Sequence, residues 1–327
     1  MAELKVGSAS LDKTGRATGW LKVGEMPHGQ PMEVPVMLVK GGSDGPTLWL
    51  HAAIHGNEYS GTYIIHEFLR RLDPAKLKGN IVAVPALNIT AYQHGTRGSP
   101  FDIYGGSDMN RVFPGKIDGT LTEQMAYHVF AEIKRVANAL VDIHTAWSGD
   151  TRWSLFTKAD GETGVRAEAM ARAFGYPVIL PSATPVLASS CYMAAAKLGI
   201  PGLIIEAGGK GPAFTPEVVT DGADRMRNVA RTLGMIDEPV APPRNKSVFI
   251  SEFAWIRSTR GGLFQPSVRC GDTITQDQVI GRYYDLFGNV VAEAKAPNPG
   301  VVLNMHTGPL MCSGETLIHI GLDPVDA

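Results

Sequence analysis

Pro46-Thr-Leu-Trp-Leu-His-Ala-Ala-Ile-His-Gly-Asn-Glu58 is the stretch from which the rest of the chain can be read. From Thr47 to Ile54 the apolar residues Leu48, Trp49, Leu50, Ala52, Ala53 and Ile54 form a nearly unbroken run, as expected of a parallel strand covered on both faces. Polar residues begin where that run stops. His55, Gly56, Asn57 and Glu58 make a turn, and Tyr59 to Leu72 then place Ile64, Ile65, Phe68, Leu69 and Leu72 at helical spacing. Strand, turn and helix together put His55 and Glu58 at the carboxyl end of a strand, where open α/β sheets hold their ligands.

An imidazole and a carboxylate three residues apart across such a turn can face one cavity, and a divalent metal suits that pair. Zinc needs a third protein ligand, and His144, which ends the apolar strand Ala139-Leu140-Val141-Asp142-Ile143, is the best placed. A further strand, Leu203-Ile204-Ile205, ends in Glu206 before Ala207-Gly208-Gly209, so three strand ends deliver His, Glu, His and a second Glu. A lone histidine at a strand end is ordinarily structural, but here the polar strand-end residues together satisfy a ligand count. His51, inside the apolar run, and His66, on the first helix, read as structural. His66-Glu67-Phe68-Leu69-Arg70 has Arg70 where a zincin helix needs its second histidine. His94, His128, His306 and His319 receive no role. Asp142 is placed on the other side of its strand from His144, with orientation of that imidazole as a subsidiary role.

With 327 residues, 44% of them apolar, the chain can bury a large core and is expected to make two domains, 1–240 and 246–327. A net charge of −2 gives no reason to expect a nucleic-acid or anionic-membrane partner. The first residues lack the apolar run of a signal peptide, and no stretch approaches the roughly 20 apolar residues of a spanning helix, so a cytoplasmic protein is expected. Three widely spaced cysteines, Cys191, Cys270 and Cys312, argue against a disulfide framework and against a cysteine-rich metal site.

Before the central strand, Ala17 to Lys22 and Met32 to Val39 read as strands, with a turn at Gly41-Gly42-Ser43-Asp44-Gly45. That turn spells Gly-x-Ser-x-Gly, but a nucleophile elbow needs a helix after the serine, and here a strand follows. After the first helix come a buried strand at 79–85 and a long Gly-, Ser- and Asp-rich loop from Asn88 to Gly115, which carries Arg97, Asp108, Asn110 and Arg111. Thr120-x-x-Glu123 is a capping box opening a helix to about Ala137. A helix around 164–174, a short strand at 178–180, a loop through Cys191 and a helix near 216–233 complete an alternating β/α pattern. That pattern implies a mainly parallel or mixed sheet flanked by helices. Cys191 reads as a buried thiol whose loop can line a pocket. Past the proline-rich linker 238–245, helix signals vanish and short strands alternate with glycine turns to 321, as in a small β-barrel or sandwich.

Four ordered motifs, His55-Gly-Asn-Glu58, Asp108-Met-Asn110-Arg111-Val-Phe-Pro-Gly, Asp142-Ile-His144-Thr and Ile205-Glu206-Ala-Gly-Gly, span most of residues 35–235. In these the chain resembles the succinylglutamate desuccinylase/aspartoacylase family of zinc amidohydrolases, built on the metallocarboxypeptidase fold. The resemblance implies one zinc ion held by His55, Glu58 and His144, Glu206 as general base and acid, and Asn110 with Arg111 gripping a substrate carboxylate. It also implies an arginine that polarises the scissile carbonyl, for which Arg97 stands. Arg97 lies further ahead of Asn110 than the family pattern expects, and an insertion such as Ser99 to Gly106 accounts for the gap. The C-terminal segment resembles the family's small β-domain with a biotinyl/lipoyl-like character. It has no modifiable lysine between paired methionines, and it is expected to cover the site or form an oligomer surface.

The expected activity is hydrolysis of the amide bond of a small N-acyl amino acid, with an N-acetyl-diaminobutyrate deacetylase as one specific form. The rivals are a metallocarboxypeptidase acting on peptide C-termini and a catalytically silent metal- or ligand-binding protein. A small-molecule substrate is the expected partner, and a homo-oligomer stays open.

Overall fold

The computed structural model describes residues 3–146, 149–209, 213–242, 244, 246–306 and 308–327. Its N-terminal strands are β1 (Leu4–Val6), β2 (Ala9–Leu11), β3 (Gly15–Glu25) and β4 (Pro31–Lys40). The central strand β5 (Ser43–Ala52) begins two residues after Gly41, so Ser43 starts a strand rather than sitting within the expected five-residue turn. Next come α1 (Ser60–Arg70), β6 (Lys78–Val84), α2 (Ile89–His94), α3 (Leu121–Val136), β7 (Ala139–His144), β8 (Arg152–Thr157), α4 (Gly161–Phe174) and β9 (Val178–Ser182). They are followed by α5 (Cys191–Ala196), β10 (Gly202–Ala207), α6 (Pro216–Thr232) and β11 (Val248–Phe249).

Ten of the described strands form one mixed sheet in the order β20-β11-β9-β8-β10-β7-β5-β6-β4-β3, where β20 is Val325–Asp326. Its middle, β10-β7-β5-β6, is parallel, because α1 and α3 carry the chain back across the sheet between successive strands. From β5 the chain crosses to β6 on one side and then returns to β7 on the other. That reversal opens a crevice above the carboxyl ends of neighbouring strands.

The sheet is covered on both faces, which explains its unbroken apolar strands. Leu48, Leu50, Val141, Ile143, Leu203 and Ile205 face α1, α4 and α6. Trp49, Leu140 and Ile204 face α3 and α5, where Met125, Val129 and Ile133 of α3 meet them. The capping box at Thr120 and Glu123 is present with both of its hydrogen bonds. Helix α1 packs against β5 and β7 at Gly61, where a Cβ would come within 2.8 Å of the Ala52 side chain and 2.9 Å of Ile143.

The remaining strands are β12 (Glu252–Arg257), β13 (Gly262–Pro266), β14 (Thr273–Ile274), β15 (Val279–Tyr284), β16 (Val290–Lys295), β17 (Gly300–Met305), β18 (Leu310–Met311) and β19 (Thr316–Leu322). They form two four-stranded antiparallel sheets, β12-β19-β17-β14 and β16-β15-β13-β18, around a core that includes Phe264, Ile280, Tyr283, Val302, Leu317 and Ile320. The chain therefore combines an α/β body with a C-terminal all-β region. Strands β11 and β20, on either side of that region, both join the edge of the large sheet: β11 pairs parallel with β9, and β20 antiparallel with β11. No helix among the described residues is long and apolar enough to cross a membrane.

Candidate active site

His55 follows β5 in a turn pressed against α2. At Gly56 a Cβ would lie 1.9 Å from the Ala91 carbonyl carbon, so only glycine lets the turn sit there. Glu58 closes the turn, its N–H donating to the His55 carbonyl at 3.1 Å. His144 ends β7 and Glu206 lies directly beside it on β10.

These strand ends converge. Nδ1 of His55 is 2.8 Å from Glu58 Oε1, Nδ1 of His144 is 2.9 Å from Glu58 Oε2, and the two Nδ1 atoms are 3.2 Å apart. All three side chains are buried, and each offers a ligand atom within 4.8 Å of the others. Each Nε2 in turn faces an aspartate: His55 Nε2 is 3.2 Å from Asp108 Oδ1, and His144 Nε2 is 3.1 Å from Asp142 Oδ2. Turning the outer nitrogen to a carboxylate is how proteins fix a metal-binding imidazole and raise its basicity.

Asp142 requires a correction to the sequence reading. Residues two apart on a strand share a face, so Asp142 and His144 point the same way, into the α3/α5 side of the sheet. Asp142 is fully buried there, with Oδ1 3.0 Å from His51 Nε2, while His51 Nδ1 accepts a hydrogen bond of 3.2 Å from Trp49 Nε1. His51 is thus structural, as read from the sequence, but it backs the aspartate that faces a site histidine. Both Asp142 contacts are close without the alignment of a well-formed hydrogen bond.

The charges oppose what burial alone would do. Burial disfavours ionised Glu58, yet the His55 and His144 imidazoles hold its carboxyl well below the usual range. Asp142 is likewise held low against burial, by His144 and His51, and Asp108 by His55, Arg97 and Arg111. His144 is raised against burial by Asp142 and Glu58. Two imidazoles ringed by this many carboxylates make a place where a cation is favoured. Glu206 behaves in the opposite way. Burial pushes its carboxyl up to about 7, and Oε2 has no hydrogen-bond partner among the described residues. Part of the residue's surface remains open toward the cavity.

Arg97 reaches the same place despite the wide spacing. The excursion after it closes on itself, Ser99 N–H donating to the Ser107 carbonyl at 3.0 Å, so Arg97 again lies beside Asp108. Its Nη2 is 3.0 Å from Asp108 Oδ2 and its Nη1 3.9 Å from Glu58 Oε1. Arg111 lines the cavity and donates from Nη1 to the Asn110 carbonyl at 2.9 Å. Asn110 is buried, with Nδ2 3.2 Å from His144 Nε2, and its Oδ1 accepts from the Cys191 N–H at 3.2 Å. The segment through Cys191, expected as a loop, becomes helical at Cys191 itself. The thiol is buried, and burial raises it well above its ordinary range.

The cavity above these residues holds about 520 Å³. His55, Glu58, Arg97, Asn110, Arg111, His144 and Glu206 all line it, so every site residue expected from the sequence is brought together. Sequence reasoning missed its other side. Trp153 on β8, Phe253 and Trp255 on β12, and His319 on β19 form that wall, with Leu155, Val186, Leu187 and Ile204 beside them. Trp255 and His319 are cross-strand neighbours and stack at 3.7 Å with an interplanar angle of 3°. A lone histidine in the apolar run Leu317-Ile318-His319-Ile320 carries no sequence signal for a site.

The mixed α/β sheet flanked by helices gives the chain a carboxypeptidase-like fold. A solved metallo-carboxypeptidase from Burkholderia cenocepacia matches with a TM-score of 0.53 over 66% of this chain and 64% of that one, at 15% identity, a likeness of fold alone. Within that fold the chain belongs to the succinylglutamate desuccinylase/aspartoacylase family of deacylases, whose catalytic-domain model matches residues 44–233. A curated relative, the N-alpha-acetyl-L-2,4-diaminobutyric acid deacetylase of Halomonas elongata, is 29% identical over 295 residues, 87% of this chain and 84% of its own. A solved succinylglutamate desuccinylase/aspartoacylase from Rhodobacter sphaeroides is 27% identical, with a TM-score of 0.83 over 97% of each chain. The product-bound ectoine utilization protein EutE (DoeB) from Ruegeria pomeroyi is 25% identical, with a TM-score of 0.83 over 96% of this chain and 97% of that one.

Proposed function

We propose that the protein is a zinc-dependent deacylase that hydrolyses the amide bond of a small N-acyl amino acid. The observation that carries the proposal is Glu206: a carboxyl without a hydrogen-bond partner among the described residues, pushed up to about 7, lies on the strand beside His144, in the same cavity as the His-Glu-His group. A mere metal-binding protein has no need of such a base. The donor set of two imidazoles and one carboxylate fits zinc, and we assign His55, Glu58 and His144 to hold it. Bound there, zinc supplies a Lewis acid and lowers the pKa of a water to roughly 7.

In this reading the chain's own groups do the rest. Glu206 accepts the proton of the attacking water and delivers it to the leaving amine nitrogen. Arg97, held by Asp108, faces the negative charge that grows on the acyl oxygen. Arg111 binds the carboxylate of the amino acid, a task suited to its planar fork. Asn110 assists through its amide nitrogen, since its oxygen is taken by Cys191. The C-terminal strands serve as a cover, because Phe253, Trp255, Asn304 and His319 wall the cavity opposite the metal group and leave less room for a peptide than an open groove would. We keep the cytoplasm as its place, on the three free thiols. A diaminobutyrate deacetylase, the activity named for the Halomonas relative, is one specific form that this reading allows.

Incubating the purified protein with N-acetyl and N-succinyl amino acids and short peptides, with and without a chelator, tests the proposal by mass-spectrometric detection of products. Chelator-sensitive release of an acid from acylated amino acids is expected. Trimming of peptide C-termini instead would assign it to the carboxypeptidases, and inactivity on every substrate would favour a binding protein.

A further inference from the structure

The cavity's far wall bears on the substrate, an inference that rests on the deacylase reading above. Its aromatic residues crowd around one histidine: ring centres of Phe253, Trp153 and Trp255 lie 4.9, 5.6 and 3.7 Å from that of His319. Trp255 remains 51% exposed although it stacks on His319, so a large apolar surface stays uncovered at a cavity rim. Trp153 and His319 are 4% and 5% exposed, yet Trp153 Nε1 and His319 Nε2 have no hydrogen-bond partner among the described residues. Buried polar atoms are seldom left unpaired, and two of them in one wall point to a ligand group that completes them. Burial lowers His319 to about 3, so it is neutral at ordinary pH.

Charge narrows the choice. The only carboxylates lining the cavity are Glu58 and Glu206, which the reaction already employs. None of the residues outside the described set is Asp or Glu. A primary ammonium is compact and strongly hydrated, and placing one against this wall would strip its water for no counter-charge but Glu206, the cross-strand neighbour of Trp153, which the reaction employs as its proton carrier. A second carboxylate would fare no better, because the cations among the described lining residues are Arg97, held by Asp108, and Arg111, which donates to the Asn110 carbonyl.

We infer that the substrate's variable group, on the amino acid or the acyl part, is neutral and largely apolar, an aromatic or branched aliphatic group with at most one neutral polar atom for Trp153 Nε1 and His319 Nε2. The chain would thereby differ in specificity from the diaminobutyrate deacetylase that it resembles.

Measuring kcat/KM of the zinc-loaded enzyme for the N-acetyl derivatives of phenylalanine, tyrosine, leucine, 2,4-diaminobutyrate and aspartate, with N-benzoyl-glycine as an apolar acyl donor, tests this. At least one apolar member should exceed both charged ones tenfold or more. Trp255→Ala should shrink that ratio about tenfold, mainly through KM, and Trp255→Phe should restore most of it. Preference for diaminobutyrate or aspartate overturns the inference and leaves the deacylase intact, as does a Trp255→Ala loss shared equally by all substrates. Silence on every acylated amino acid, with zinc bound, overturns the deacylase and the inference together. Phe253→Ala, read on the same ratio, serves if Trp255→Ala fails to fold.

Discussion

On one side of the cavity, the ends of β5 and β7 gather His55, Glu58 and His144 into a buried cluster whose polar atoms engage one another, with the carboxyl of Glu206 left open beside it at the end of β10. On the other, β12 and β19 present Trp255 and His319, flat rings with polar atoms left open and a surface half in solvent. The first side is rigid because desolvated charges bind tightly to their partners, so it can only perform one kind of chemistry. The second relies on area and shape, which many apolar groups satisfy to different degrees. Damage to the first should therefore be felt by all substrates alike and in kcat, while damage to the second should sort substrates by their variable group.

The sharpest separation should come from Glu206→Ala. Loss of the proton carrier is expected to cut kcat by about 10²–10⁴ for every substrate while zinc stays bound, whereas His144→Ala should lose both metal and turnover. Metal content by elemental analysis beside kcat decides it, and wild-type turnover in the Glu206 variant would sink the mechanism. Arg97→Ala should cost roughly 10²–10³ in kcat, again without changing the ranking of substrates. If the ranking changed instead, Arg97 would belong to recognition and the two sides would not be separate.

Asp142→Asn tests the support behind the first side. Removing a carboxylate that faces His144 Nε2 should weaken zinc binding about 10- to 100-fold, measured by competition with a chelating dye. Unchanged affinity would reduce Asp142 to a fold residue. The mildest effect is on pH. Glu206 acts as a base only when ionised, and burial sets it to about 7, which a bound divalent ion would lower. Turnover should thus fall as pH drops through an acid limb at or below 7, by about tenfold per unit, with metal still bound. The limb should be the same in Trp255→Ala, since that residue faces the other side, and a flat profile down to pH 5 would remove Glu206 from the role.

How much of this was legible in the chain follows the same division. His55 and Glu58 are three residues apart in a turn, and His144 and Glu206 each end an apolar strand, so short-range patterns revealed them. Arg97 was found despite its spacing, because the hydrogen bond from Ser99 to Ser107 folds the intervening residues out of the way. Asp142 was misplaced although the strand period of two puts it beside His144. The helix at Cys191 is only six residues long, too short to show a period. The aromatic side left no pattern at all. Trp153, Trp255 and His319 come from three strands in two sheets, and only the pairing of β12 with β19 makes neighbours of the last two.

The way the chain enters and leaves its C-terminal strands has a mechanical meaning. Strand β11 before them and strand β20 after them are both hydrogen-bonded into the edge of the large sheet. The jaw that carries Trp255 and His319 is thus not a free flap: its two ends pair with each other, and the first is fastened to the edge of the frame that carries the other jaw. Such a caliper holds its gap when empty, and it gauges a molecule by whether it spans the opening rather than by closing around it.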